Sequence, residues 1–259
     1  CINKDPPKIA QFTAINGKKI PNELYREGEN FSTIISTNCT IVAIVAINRI
    51  NDKRKRIIIV GWKKNFDFQF PKFNKIDNNW TVSSLLSDLK KLKPGEQNNI
   101  TKYKAEATDY LSKFELRNGV DFVTQHIARP HNNRDLEIYK RAIKKWGEGQ
   151  RLKYSDLPEH LTTHKNKTSF LDRYKVVDAN GLSHTMVAHI SKDGHHYIYP
   201  DKKQIRSLSV REAARIQSFP DNFFFEGGRT AAFKQIGNAV PPLMASEIAF
   251  SIKGKLKRK

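Results

Sequence analysis

The sequence predicts an α/β chain that carries a second, smaller α+β domain. Two apolar segments near the N-terminus favour strands, a charged middle region shows helical spacing, and capped helices close the chain. The first strand is predicted at Thr40–Ile47 (TIVAIVAI). The second includes the β-branched run at Ile57–Val60, which is typical of a strand buried on both faces of an α/β sheet.

The charge balance predicts a polyanionic partner. The 259 residues include 46 Lys and Arg against 26 Asp and Glu, a formal net charge of +20. Nucleic acid is the default partner for so basic a chain, although a surface rich in Lys through composition bias would give the same balance. No apolar run approaches the roughly 18 residues that span a bilayer, and no signal peptide is visible. We therefore expect no membrane partner.

The two cysteines, Cys1 and Cys39, are too few for a disulfide framework or a cysteine-rich zinc site. This count fits a reducing cytoplasm. The chain begins with Cys1 rather than Met, which we interpret as a fragment or as the loss of part of the natural N-terminus.

The charged middle region predicts three helices. Leu85, Leu89 and Leu92 form one stripe that Pro94–Gly95 ends, and the segment 102–116 has helical spacing of its apolar residues. The third helix has an apolar face that ends at Gly147, formed by Leu136, Tyr139, Ile143 and Trp146.

The opposite face of the third helix is basic, with Lys140, Arg141, Lys144 and Lys145. A solvated surface and a surface that follows DNA phosphates explain this face equally well. Further along, the segments SHTMVAHI and HHYIY predict two strands joined by a turn at residues 192–194.

The first C-terminal helix has a recognisable start and end. Ser209 and Glu212 form a capping box, in which each side chain accepts from the other residue's amide. The helix should stop near Phe219, because Pro220 disfavours helical dihedrals in the residue before it.

The second C-terminal segment begins with a predicted tight connection at Gly237–Asn238. Pro241–Pro242 suits the first turn of a following helix, and Gly254 suits its end. One face of that helix should carry Ala245, Ile248 and Ile252.

The amino-acid sequences of these segments resemble the motifs of a known family. SLSVREAARIQSFPD followed by KQIGNAVPP resembles the ninth and tenth motifs of the DNA cytosine-5 methyltransferases. Arg54 and Arg56, with the strand ending Val60-Gly61, resemble the eighth motif, although Asp52 stands where the family has glutamine. The resemblance implies the C-terminal part of a Rossmann-like, S-adenosylmethionine-dependent methyltransferase.

The resemblance also implies roles for individual residues. Arg56 matches the arginine that contacts the target base, and Arg54 matches its supporting neighbour. Asn238 and Ala239 match the loop that closes over the methyl donor, S-adenosylmethionine, and Thr185 matches a threonine that contacts the DNA backbone. The implied activity is methylation of cytosine C5 in a specific sequence of double-stranded DNA, in a prokaryotic cytoplasm and within a restriction-modification system.

By position, residues 1–65 would supply the last strands of the methyltransferase domain. Residues 66–204 would form the target-recognition domain, and residues 205–259 would carry the ninth and tenth motifs back to the methyltransferase domain. An incomplete sheet would leave strand edges and apolar faces exposed, so we expect poor solubility or a tight partner.

Three sequence blocks of the family are absent from this sequence. These are the glycine-containing donor loop, the proline-cysteine-glutamine block with the nucleophile, and the glutamate-asparagine-valine block with the acid. Neither Cys1 nor Cys39 has a setting that would lower a thiol pKa. Three explanations remain open, namely a fragment, one subunit of a split enzyme whose partner carries the nucleophile, and a modified member that only recognises DNA.

Two other classes of function compete with a methyltransferase. A nuclease could use His126 and His131, or His184 and His189, as metal ligands. A spacing of five aligns two side chains on neither a helix nor a strand, so this pattern favours ordinary structural histidines. A noncatalytic DNA-binding module is the second alternative.

Overall fold

The computed structural model describes three strands near the N-terminus and two longer stretches, residues 80–163 and 171–253. These residues belong to two compact units, the first containing the three strands and the second containing everything from Trp80 onward. Within the described residues, no helix is long and apolar enough to cross a membrane.

The first unit contains an antiparallel sheet in the order β1-β2-β3. In the pair β2 and β3, Ala43 lies opposite Val60 and Ile47 lies opposite Arg56. Both predicted strands are thus confirmed as elements, and their neighbours in this sheet run antiparallel. The strands are β1 (Thr33–Ile34), β2 (Thr40–Ile47) and β3 (Arg56–Trp62).

The second unit contains six helices and one strand pair in its described residues. The elements in chain order are α1 (Val82–Leu86), β4 (Gln97–Lys102), α2 (Asp109–Lys113), β5 (Phe122–Ile127), α3 (Asn133–Gly147), α4 (Val210–Ile216), α5 (Arg229–Asn238) and α6 (Pro242–Lys253). Short 3-10 helices lie at Tyr154–Asp156, Glu159–Leu161 and Ala188–Ser191.

The predicted leucine stripe is wrong as a single helix. The helix α1 ends at Leu86, although Leu85, Leu89 and Leu92 are all buried. The chain turns away because the buried carboxylate of Asp88 pairs with Arg215, and the Asp88 carbonyl accepts from the Lys104 amide. A tertiary contact therefore overrides the local helical spacing.

The predicted helix over residues 102–116 is also wrong in extent. Lys102 belongs to β4 and lies opposite Phe122 of β5, a strand that the sequence pattern did not reveal. Only the short α2 is helical, and Thr108 caps its start by accepting from the Leu111 amide. The first residue of the segment, Lys102, pairs with β5 across the strands and is therefore not helical.

The helix α3 confirms its predicted end at Gly147. The Asn132 side chain caps its start by accepting from the Asp135 amide at 2.8 Å. Its buried side includes Tyr139 and Ile143 as predicted. The rest of that side differs from the prediction, since Leu136 and Trp146 are only half-buried while Ile138 and Ala142 are fully buried.

The two strands predicted in SHTMVAHI and HHYIY are wrong. The first segment contains the 3-10 helix Ala188–Ser191. The second forms only isolated bridges, in which Ile198 pairs with Val176 and with Ser207. Interleaved side-chain contacts from Tyr197 and Arg129 hold this region instead of a strand ladder.

The C-terminal helices follow the sequence closely, with one correction. The capping box of α4 is present and α6 begins at Pro242, as predicted. Gly237–Asn238 is not a tight connection between elements but the last turn of α5. The helix α4 ends at Ile216, slightly before the predicted stop, and Ser218 turns the chain with a φ of 63°.

Candidate functional site

The start of α4 is fixed by a buried ion pair. Arg206 donates from its two terminal nitrogens to the two carboxylate oxygens of Glu212, at 2.7 Å each. The Ser209 amide donates to the same carboxylate at 2.7 Å. Burial alone would raise the pKa of Glu212, but Arg206 and these hydrogen bonds hold that pKa below its ordinary value. Both partners are charged and inaccessible to solvent.

A second buried cluster joins α4 to two distant segments. Arg215 donates to both oxygens of Asp221, from Nε at 3.0 Å and from Nη2 at 2.5 Å. It also donates to both oxygens of Asp88 and to the Leu85 carbonyl. Although burial disfavours a charged guanidinium, the two carboxylates raise the pKa of Arg215. The residue therefore remains a cation in the core.

Arg211 binds mainly carbonyl groups. It donates to the Thr124 carbonyl and hydroxyl, and to the carbonyls of Pro220 and Phe223. These contacts attach the loop after α4 to β5. Arg206, Arg211 and Arg215, which we call the arginine core, are fully buried and have partners within the unit. They stabilise the unit and are not placed to contact DNA.

Thr185 lies on a braced surface segment. It is half-buried, and its carbonyl accepts from the Tyr197 hydroxyl at 2.8 Å, while that hydroxyl accepts from the Val187 amide at 3.1 Å. Arg129 captures the carbonyls of Ile190 and Lys192 at the end of the following 3-10 helix. The segment that carries Thr185 is therefore fixed on both sides.

Gly237 brings the tenth motif against that segment. A β-carbon added at Gly237 would lie 2.4 Å from the carbonyl carbon of Val187 and 2.4 Å from the amide nitrogen of Ala188. Glycine is required where two backbones approach so closely. Asn238, which is exposed, and Ala239, which is half-buried, follow at once. The structure thus brings together the predicted DNA-contacting and donor-closing segments.

The described residues give no side-chain geometry for the two predicted catalytic arginines. Arg54 lies outside the described residues. Arg56 is the first residue of β3 in the first unit, and only its backbone is described. Their proposed roles therefore rest on the motif alone.

Two cavities can be described in the second unit. One cavity of about 270 Å³ lies beside the end of α3 and is lined by Trp146, Leu152 and Tyr174 among others. A second, of about 320 Å³, lies beside Thr185. Neither of these two cavities is lined by Asn238 or Ala239.

The histidines considered as metal ligands make other contacts. The ring nitrogens of His126 contact the Ser209 hydroxyl at 2.9 Å and the Lys90 carbonyl at 2.7 Å. His131 contacts Ser207, and His184 contacts the carbonyl of His196. Within the part of the chain that the structure describes, no three His, Cys, Asp or Glu side chains form a group that could hold a metal ion.

Sequence reasoning missed the arginine core and the side chains around the second cavity. Arg211 and Arg215 are four residues apart, which places them on one helical face, but their partners Asp88 and Thr124 are remote in sequence. The capping box was the only local signal that this helix lies at a structural centre.

The fold resembles that of a solved structure. Over 85% of this chain and 62% of the other, the structure resembles a solved E. coli prophage protein described as a DNA modification methyltransferase, with a TM-score of 0.57 and 20% identity. The sequence then identifies the family. The model of the C-5 cytosine-specific DNA methylases matches residues 42–254, and the chain belongs to that family.

The curated relatives of this chain include type II methyltransferases. M.Bpa9945I of Bacillus paralicheniformis is 47% identical over 213 residues, which are 79% of this chain and 48% of that protein. M.DdeI of Desulfomicrobium norvegicum is 28% identical over 241 residues, which are 85% of this chain and 55% of that protein. The chain therefore spans about half the length of these relatives.

Proposed function

We propose that this chain takes part in methyl transfer from S-adenosylmethionine to C5 of cytosine in a specific DNA sequence. Its part is target recognition and the closing motifs. The observation that carries the proposal is the family match over residues 42–254, a range that includes the proposed site residues Arg54, Arg56, Thr185, Asn238 and Ala239. The nucleophile, the acid and the main donor loop would come from sequence that this chain does not contain.

The proposed division of work follows from charge and exposure. Cytosine must leave the base stack to be methylated, and an arginine beside its carbonyl oxygen stabilises negative charge that develops in the ring. We assign that role to Arg56, with Arg54 as its support. Thr185 would contact the DNA backbone, and the exposed amide of Asn238 would close over the donor.

The helix α6 supports an association with a methyltransferase domain. Among its twelve residues only Met244 is buried, while Val240 just before it and Phe250 near its end are 57% and 69% exposed. A helix of this composition normally buries an apolar face. We propose that α6 packs against the donor-binding domain, which explains why the preceding residues could close over the donor.

A noncatalytic, sequence-specific DNA-binding subunit is the second candidate. The formal net charge of +20 supports it, because a basic chain suits a polyanionic partner whether or not methyl transfer occurs. Both candidates require DNA binding, so methyl transfer decides between them. A restriction endonuclease component is less well supported, because the candidate histidines contact hydroxyl and carbonyl groups of the chain.

The test is methyl transfer from labelled S-adenosylmethionine to mixed-sequence DNA. The purified chain would be assayed alone and together with a polypeptide that supplies the N-terminal half of a relative such as M.Bpa9945I. We expect activity only in the mixture. DNA binding with no activity in either assay would favour the noncatalytic subunit, and activity of the chain alone would show that Cys1 or Cys39 is a nucleophile.

The arginine assignment has its own control in the same assay. Arg56→Ala should abolish methyl transfer in the complemented enzyme while leaving most of the DNA affinity. Arg141→Ala, on the exposed face of α3, removes the same charge and should leave the rate unchanged. An unchanged rate for Arg56→Ala would overturn the assignment.

A further inference from the structure

Four of the seven described residues that line the cavity beside Thr185 carry side-chain nitrogen. Its volume is about 320 Å³ and it is open to solvent. The lining includes Lys175, His184, Thr185, His189, His196 and Tyr197. None of the described residues that line it carries a carboxylate. Its walls therefore favour an anion over a cation or an apolar group.

One wall of the cavity is rigid and neutral. The His184 ring stacks on Tyr197 with the centroids 5.0 Å apart, and its Nε2 contacts the carbonyl of His196. Burial lowers the pKa of His184 to about 4, so the ring is neutral near pH 7 and donates its Nε2 hydrogen to that carbonyl. The same Tyr197 holds the backbone of Thr185 through its hydroxyl.

The other side of the cavity carries groups that can meet an anion. The His189 side chain is exposed, and its ring lies 5.9 Å from that of His196. The Lys175 ammonium lies 2.5 Å from the Asp172 carboxylate, in a pair whose side chains are 30% and 63% exposed. Such an exposed pair is weak, so Lys175 can exchange this partner for another anion at small cost.

We propose that this cavity binds one backbone phosphate of double-stranded DNA, through Lys175, His189 and His196 around Thr185. The inference rests on the proposed function and extends it from one threonine to a site built from three chain segments. An open cavity suits a phosphate that belongs to a polymer, because the neighbouring nucleotides need a way out on both sides. Phosphate contacts fix the register of a protein on DNA, which a target-recognition unit needs.

Lys175→Gln tests the site in the full chain, with fluorescence anisotropy of a labelled mixed-sequence duplex. We expect the affinity to fall by about fivefold to tenfold at 0.1 M salt, and the salt slope to fall by about one unit, because one phosphate contact is lost. Lys202→Gln is the matched control. Lys202 is exposed and does not line the cavity. The Lys202→Gln variant loses the same charge, so its DNA affinity should fall much less than that of Lys175→Gln.

Asp172→Asn gives a result in the opposite direction. Asp172 competes with the phosphate for Lys175, so its neutralisation should tighten DNA binding by about twofold or more. A merely structural role for the pair would instead weaken binding or leave it unchanged. Equal effects of Lys175→Gln and Lys202→Gln, or weaker binding by Asp172→Asn, would overturn the proposal.

The two histidines give an independent readout at constant pH. Both rings line the cavity, and their nitrogens can donate to a bound phosphate. The double variant His189→Ala/His196→Ala removes these donors and should weaken DNA binding by about threefold or more. An unchanged affinity would contradict the proposal.

The failure of the proposed function gives a different result. If the unaltered chain binds no duplex at 0.1 M salt, both the proposed function and this site are wrong. If the unaltered chain binds, the phosphates of the duplex can be ethylated one at a time. The site is supported if ethylation of one phosphate weakens DNA binding by the unaltered chain and does not affect binding by Lys175→Gln. If the two proteins show the same ethylation pattern, only the site is wrong.

Discussion

The helices of the ninth and tenth motifs, equally recognisable in sequence, occupy opposite environments. All seven residues of α4 are buried, and the arginine core around it is held by carboxylates and carbonyls. The helix α6 buries only Met244 and leaves Phe250 exposed. One motif is therefore the structural centre of the second unit, whereas the other presents apolar surface.

The different burial of α4 and α6 indicates two different reasons why a sequence motif is retained in recognisable form. The residues of α4 are specified by the fold itself, because each buried charge needs a particular partner in a particular place. The described residues of the second unit leave Phe250 of α6 exposed, so burial within them does not account for this large apolar side chain. The proposed docking of α6 onto a methyltransferase domain would account for it.

The largest expected effect is that of Arg215→Ala. The variant leaves the carboxylates of Asp88 and Asp221 buried without their cation, and should lower the free energy of unfolding by about 3–5 kcal/mol. Chemical denaturation measures this loss. Arg141→Ala removes an exposed pair with Glu137 and should leave the unfolding midpoint nearly unchanged. Similar losses for both variants would show that the arginine core is not a structural centre.

A smaller effect is expected where the tenth motif meets the segment that carries Thr185. Gly237→Ala forces the backbones of Val187 and Ala188 to move, and should lower the free energy of unfolding by about 1–3 kcal/mol. Gly147→Ala, in the last turn of α3, is the matched control, because its added β-carbon would have no atom within 4 Å. We expect it to be neutral or to stabilise by up to about 1 kcal/mol.

Urea unfolding of the two glycine variants gives the comparison. A loss at Gly237 with none at Gly147 would show that the close approach is specific to α5. Equal changes at both positions would mean that only general helix propensity is measured, and that the contact with Val187 is easily relaxed. DNA affinity of the Gly237 variant should fall as well, because the displaced segment carries Thr185.

Local signals in the sequence predicted local structure well. The capping box of Ser209 and Glu212 and the end of α3 at Gly147 depend on neighbours within one or two helical turns, and both are confirmed. The leucine stripe failed because Asp88 pairs with Arg215, a residue 127 positions away. The strand pair β4 and β5 was missed for the same reason. Lys102 pairs with Phe122, and no local periodicity in the sequence predicts this pairing.

Residues of the candidate site could be predicted only where the sequence resembles a motif of the family. Thr185 and Asn238 were predicted through the family resemblance, and the structure shows that Gly237, next to Asn238, packs against the backbone of Val187 and Ala188. Lys175 and His196 were not found, because they reach the cavity from separate segments and follow no common spacing. A site built from several segments becomes visible only after folding.

His131 provides the smallest test of how tightly the entry to α4 is built. Its Nε2 accepts from the Ser207 amide at 3.2 Å and lies 3.1 Å from the Ser207 hydroxyl. Burial lowers the pKa of His131 from 6.5 to about 3, and the nearby guanidinium of Arg129 acts in the same direction. A proton on Nε2 would remove the acceptor for the Ser207 amide. The folded protein therefore holds this ring neutral.

We expect stability to fall as the pH is lowered from about 6.5 toward 3, because the unfolded chain binds a proton on His131 that the folded protein excludes. This contribution is fully present above pH 6.5 and should amount to about 1 kcal/mol between pH 7 and pH 5.5. His131→Gln, which keeps an acceptor, should flatten that part of the profile in urea unfolding. His160→Gln, at an exposed histidine, should not. An unchanged profile for His131→Gln would mean that Ser207 is held without the neutral imidazole.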